Sequence, residues 1–106
     1  MSCEIREYLE NGESVFGVWF NELDAAAAAR VDRYVRRMEN GNFGNSKPVG
    51  SGVHELKVDF GPGYRVYYGY EGTTIVILLA GGTKRRQAAD ISAAKKRWAN
   101  YKAGRS

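Results

Sequence analysis

Two hydrophobic rhythms run along the chain. Phe16, Trp19, Phe20 and Leu23 recur at three and four residues, the spacing of one helical face. Asp24 then stands as a helix N-cap before five consecutive alanines, which strongly favour helix, so a second helix is predicted over 25–39. Its buried stripe is Ala27, Val31, Tyr34, Val35 and Met38, with Arg30, Arg33, Arg36 and Arg37 mostly outside it. Asn40-Gly41 supplies the stop. Upstream, residues 3–9 alternate weakly and predict a first strand at a sheet edge.

From residue 53 the period changes to two. Three strands are predicted, over 53–60, 64–70 and 74–80, the first two forming a hairpin around Gly61-Pro62-Gly63. The third, Thr-Ile-Val-Ile-Leu-Leu-Ala, is apolar on both faces and reads as a central strand covered on both sides. Gly81-Gly82-Thr83 is expected to break it. A last helix follows over about 85–102, with Ile91, Ala94, Trp98 and Tyr101 as its apolar stripe. Residues 41–52 are rich in glycine and read as a connector lying over a functional face; they lack the Gly-Lys-Ser/Thr of a phosphate-binding loop. The predicted fold is α+β in the order β-α-α-β-β-β-α. A small, mainly antiparallel sheet carries the two N-terminal helices on one face, and the C-terminal helix partly covers the other.

Alternation then assigns side chains to faces. His54, Leu56, Val58, Phe60, Tyr64, Val66 and Tyr68 share a mostly apolar face, where His54 is expected to be a structural histidine. Glu55, Lys57, Asp59, Arg65 and Tyr67 share the other. A three-residue hairpin closure would set Asp59 opposite Arg65. That pairing alone, a cross-strand ion pair on a wet surface, accounts for the arginine. A cleft beside the last helix accounts for it equally well. Lys84, Arg85 and Arg86, after the last strand, are expected to add positive charge to that cleft. Lys47 and Lys95 join them as candidate contacts to a phosphate chain, unless the basic run is a solvated turn. Tyr67 is a candidate for stacking a base or donating a proton.

Composition narrows the classes. The 106 residues suffice for one domain, 1–106. There is no long apolar run, so no membrane span is expected, and the first residues lack a signal-peptide core. One cysteine and one histidine cannot build a protein-only zinc site, so neither metal nor other cofactor is expected. The unpaired Cys3 fits a reducing, cytoplasmic setting. The net charge of +4 is uneven: residues 1–52 hold 6 Lys/Arg against 8 Asp/Glu, and residues 53–106 hold 10 against 4. A basic half suits a polyanion or an acidic partner protein, and equally a merely solvated surface.

Several stretches together resemble one family: G-N-F-G at 41–44, V-H-E-L-K at 53–57, F-G-P-G-Y-R-V-Y-Y at 60–68, L-L-A-G-G-T-K at 78–84, and Q-x-x-D-I-x-x-A at 87–94 ending in W-x-x-Y at 98–101. With the element order, they are similar to the RelE/ParE toxin superfamily, in particular its addiction-module killer branch of phage-derived Gp49-like and HigB-like toxins. The resemblance implies the toxin of a bacterial type II toxin–antitoxin system, with a helix-turn-helix antitoxin as partner. It further implies metal-independent endonuclease cleavage of mRNA on the ribosome. Relatives of ParE type instead poison DNA gyrase, and a prophage remnant that only binds its antitoxin is a third possibility. Within the nuclease reading, the resemblance assigns Lys57 as base, Arg65 to the phosphate and Arg85 to transition-state charge. Where RelE places a C-terminal tyrosine this chain has Ile91, so either Tyr67 or Tyr101 substitutes as the general acid or the general acid is missing.

Overall fold

The computed structural model of the chain describes residues 2–104. Strand β1 (Glu4–Glu7) leads into a small hairpin of β2 (Leu9–Glu10) and β3 (Glu13–Ser14). Helices α1 (Val15–Asn21) and α2 (Ala25–Glu39) follow. Each is capped by the residue before it: Gly17 N donates to Ser14 Oγ at 2.8 Å, and Ala27 N to Asp24 Oδ1 at 2.8 Å. The rest of the chain forms β4 (Ser46–Gly50), β5 (Val53–Val58), β6 (Tyr64–Glu71) and β7 (Ile75–Thr83), a single 3-10 turn Lys84–Arg86, and α3 (Gln87–Gly104). Five strands make one sheet in the order β1-β7-β6-β5-β4, antiparallel throughout except for the parallel β1–β7 pair. The class is therefore α+β with a mainly antiparallel sheet. No helix among the described residues is long and apolar enough to cross a membrane.

Three expectations are corrected. Residues 46–50, expected within a glycine-rich connector, form the edge strand β4, paired to β5. Pro48 donates no ladder hydrogen bond, and the register shifts between Pro48 and Gly50; both features suit an edge and disguise a strand. Second, Gly81 and Gly82 do not end β7 but lie within it. A Cβ on Gly81 would sit 2.1 Å from the Trp19 ring of α1, and one on Gly82 would sit 1.9 Å from Asp90 Oδ2 of α3. The two glycines thus let side chains from opposite faces rest on the strand. Ordinary alternation gives the neighbouring glycines these opposite outlooks, while a register shift between Tyr67 and Tyr68, which skips Leu79, puts Leu79 and Ala80 together on the α3 side. Third, the β5–β6 hairpin closes over 59–63 rather than 61–63. Lys57 is then opposite Arg65 and Val58 opposite Tyr64.

Two apolar cores sit on the two faces. Phe16 of α1 and Ala27, Val31, Val35 and Met38 of α2 pack on Leu56, Val58, Val66, Tyr68, Val76 and Leu78. On the other face Ala94 and Trp98 of α3 pack on Val53, Tyr67, Ile77 and Leu79. Gly69 is the slot for Trp98, since a Cβ there would lie 2.8 Å from the indole. Helix α3 covers only part of its face, and the uncovered part holds the polar residues.

Candidate nucleic-acid interface

The hairpin correction is a slip of two residues, so each side chain keeps its face. His54, Leu56, Val58, Tyr64, Val66 and Tyr68 turn toward α1 and α2. His54 stacks on Tyr68 with ring centroids 5.4 Å apart. Its Nδ1 is buried without a hydrogen-bond partner among the described residues, so it is held by ring packing.

On the α3 side, Lys57 and Arg65 are direct cross-strand neighbours. With Asn45, Lys47 and Glu55 they line a cleft of about 200 Å³. Lys47 is exposed on the edge strand and Lys57 is half-buried. Arg65 is only 6% exposed. Its partner is Glu55, not Asp59, which is exposed in the hairpin loop. Arg65 Nε lies 3.5 Å from Glu55 Oε1, a charge contact without hydrogen-bond geometry. Arg65 Nη1 donates weakly to Tyr64 O at 3.5 Å. The other carboxylate oxygen, Glu55 Oε2, accepts from Gln87 Nε2 at 2.8 Å. Thus the first turn of α3 holds Glu55, and Glu55 holds Arg65.

Asp90, one turn beyond Gln87, rests its carboxylate on Gly82, which faces Arg65 across the ladder. Burial raises its pKa, against the opposing charges of Arg86 and Arg97. Its Oδ2 has no hydrogen-bond partner among the described residues, nor has the hydroxyl of Tyr67.

The remaining candidates scatter. Tyr67 is 0% exposed in the core beneath α3. Burial raises its pKa, as do the negative charges of Glu55 and Asp90, against Arg65. Expected as a stacking or proton-donating group, it does not open onto the cleft, because α3 seals it. Tyr101 stacks on Trp98 and donates its hydroxyl to Glu71, and Ile91 packs in the α3 core. The 3-10 turn is tied to the hairpin by Lys84 N donating to Gly63 O at 3.1 Å. Lys84, Arg85 and Arg86 are exposed there, beside the cleft rather than in its lining. Lys95 lies elsewhere, its Nζ against Gly50 at the far end of β4.

Sequence reasoning missed Glu55, Gln87, Asn45 and Asp90. Two signals were available. Alternation already set Glu55 on the face of Lys57 and Arg65, and Gln87 and Asp90 are three apart, on one side of a helix.

Comparison with known proteins agrees with this assembly of motifs. An uncharacterized protein of Haemophilus influenzae is 42% identical over 81 residues, which are 76% of this chain and 82% of that protein. Residues 18–100 match the family described as Phage derived protein Gp49-like. That span runs from α1 through the cleft strands into α3, and the chain belongs to this phage-derived Gp49-like family.

Proposed function

We propose that this chain is the toxin of a bacterial type II toxin–antitoxin pair and a metal-independent endoribonuclease acting on mRNA at the ribosome. Family membership supports the toxin-like module and an antitoxin partner. The observation that best supports the chemistry is the juxtaposition of Lys57, Arg65 and Lys47 in one cleft on one sheet face. In this reading Arg65, oriented by Glu55, and Lys47 hold the scissile phosphate. Lys57 takes the proton of the 2′-hydroxyl, the O2′–P bond forms, and the P–O5′ bond breaks. The leaving 5′-oxygen collects a proton from water, since neither Tyr67 nor Tyr101 opens onto the cleft. Arg85 stabilises the charge that develops at phosphorus, with Lys84, Arg86 and Lys95 as outlying contacts to the strand.

Cell-free translation with primer-extension mapping tests the proposal. New 5′ ends should appear in the message at doses that stop translation, and Lys57→Ala should remove them. Intact message at an arresting dose would exclude the nuclease. A second reading has its own support: Arg65 already faces Glu55, and no tyrosine lies in the cleft. Both facts suit a poison that binds without cutting, of the gyrase-directed kind. A supercoiling assay separates the two, because a nuclease leaves gyrase unaffected.

A further inference from the structure

Helix α2 carries four arginines and two acids. Arg36 takes both acids, with Nε 3.4 Å from Asp32 Oδ1 and Nη1 2.7 Å from Glu39 Oε2. Arg30, Arg33 and Arg37 then have no carboxylate within ion-pair distance among the described residues. At spacings of three and four they form one stripe, about 10 Å long at 1.5 Å per residue. Two are set on aromatic rings. Arg30 Cζ lies 4.6 Å from the Phe60 ring centre, and Arg37 Cζ lies 5.0 Å from that of Tyr34. A guanidinium held over a ring is restrained there without using its N–H donors, which leaves them for a phosphate.

Phe60 belongs to the hairpin that joins Lys57 to Arg65, and Gly63 of the same hairpin accepts from Lys84. The hairpin end therefore links the cleft on one face to the α2 stripe on the other. Asp59 is the one carboxylate in the loop between them, exposed and without an ion-pair partner among the described residues.

We infer that the α2 stripe of Arg30, Arg33 and Arg37 is a second RNA-backbone contact, reached by the same polyanion that enters the cleft as it rounds the hairpin end. An acidic protein is the less favoured occupant, because Arg30 and Arg37 are restrained by their rings with donors available for bidentate phosphate contact, and Arg33 adds a third cation between them. The inference deepens the RNA reading of the cleft but needs binding alone, not cleavage.

Fluorescence anisotropy with labelled oligouridines tests it over a potassium chloride series. The probes are about 4 nucleotides long, filling the cleft, and about 20, long enough to leave it. The variant Arg30→Gln/Arg33→Gln/Arg37→Gln should bind the longer probe about tenfold more weakly, and its log K against log salt should flatten by about 2. Binding of the short probe should not change. Arg33→Gln alone, which touches no ring and should leave the thermal melt unmoved, should flatten the slope by about 0.7. An unchanged slope for the long probe in Arg33→Gln overturns the inference. So does polyglutamate that binds as tightly as RNA and is lost equally in the variant. If the slopes fall as expected while message stays intact in the translation assay, the nuclease reading fails and the RNA contact stands.

Discussion

The two faces of the sheet are built from the same strands and differ in what they tolerate. Toward α1 and α2 the buried core is continuous, from Phe16 through Val31 and Met38 to Leu78. Toward α3 the core stops at Tyr67 and Trp98. Beyond it lies a charged pair, Glu55 and Arg65, buried beside an open cleft. The first face is held by burial of apolar area, which is insensitive to exact partners. The second depends on particular polar contacts, and a buried charge that loses its partner is far more costly than a lost methyl group. The α3 face is accordingly where single substitutions will reveal whether side chains serve the fold or a ligand.

Trp98→Ala attacks the apolar half of the α3 face. Emptying the slot over Gly69 should lower stability by about 3–5 kcal/mol, read by urea unfolding. Arg65→Ala attacks the polar half and should rank with it, at about 3–5 kcal/mol, because Glu55 is left buried and unpaired. The double variant Arg65→Met/Glu55→Leu should recover most of that loss while abolishing any cleft activity. Asp59→Ala, by contrast, should change stability by no more than about 0.5 kcal/mol and show no coupling to Arg65. Strong coupling between 59 and 65 would restore the three-residue hairpin and undo the contrast between the faces.

Lys57→Ala removes a half-buried amine from the cleft without stranding a buried charge. Stability should stay within about 0.5 kcal/mol, while RNA binding or cleavage falls. A variant that keeps full activity would make the cleft a structural feature only. The smallest expected effect is at Asp90. Its raised pKa means that the folded state keeps this proton at pH values where the unfolded chain has lost it. Stability contributed here is thus greatest below the ordinary aspartate value and falls as pH rises through the raised one. Asp90→Asn should melt slightly higher than the parent at neutral pH and match it in acid. A lower melting temperature at neutral pH would mean that the carboxylate is stabilised by Arg86 or Arg97.

Arg65 shows how far alternation reaches. A strand period of two put Lys57, Glu55 and Arg65 on one face, and that survived a wrong hairpin register because the slip was itself two residues. The identity of the partner did not survive, since ladder register depends on loop length, and Gly61-Pro62-Gly63 reads equally as a whole loop or the centre of a longer one. Strand β4 was hidden for a related reason. Its Ser-Lys-Pro-Val-Gly has loop composition, and it becomes a strand because β5 offers it a ladder. Gly81-Gly82 looked like a terminator because glycine ends strands more often than it seats a tryptophan and a carboxylate from opposite sides.

Local chemistry written along the chain determined the helices and their caps, the alternating faces of β5 and β6, and the family motifs. All of these depend on neighbours a few residues apart. Tertiary structure alone decided that Glu55 neutralises Arg65, that α3 seals Tyr67 away from solvent, and that Arg30 meets the hairpin through Phe60. Each of these joins residues on different elements, and their meeting depends on register, on one bulge and on where a helix lands. Those quantities are set by packing the whole sheet at once.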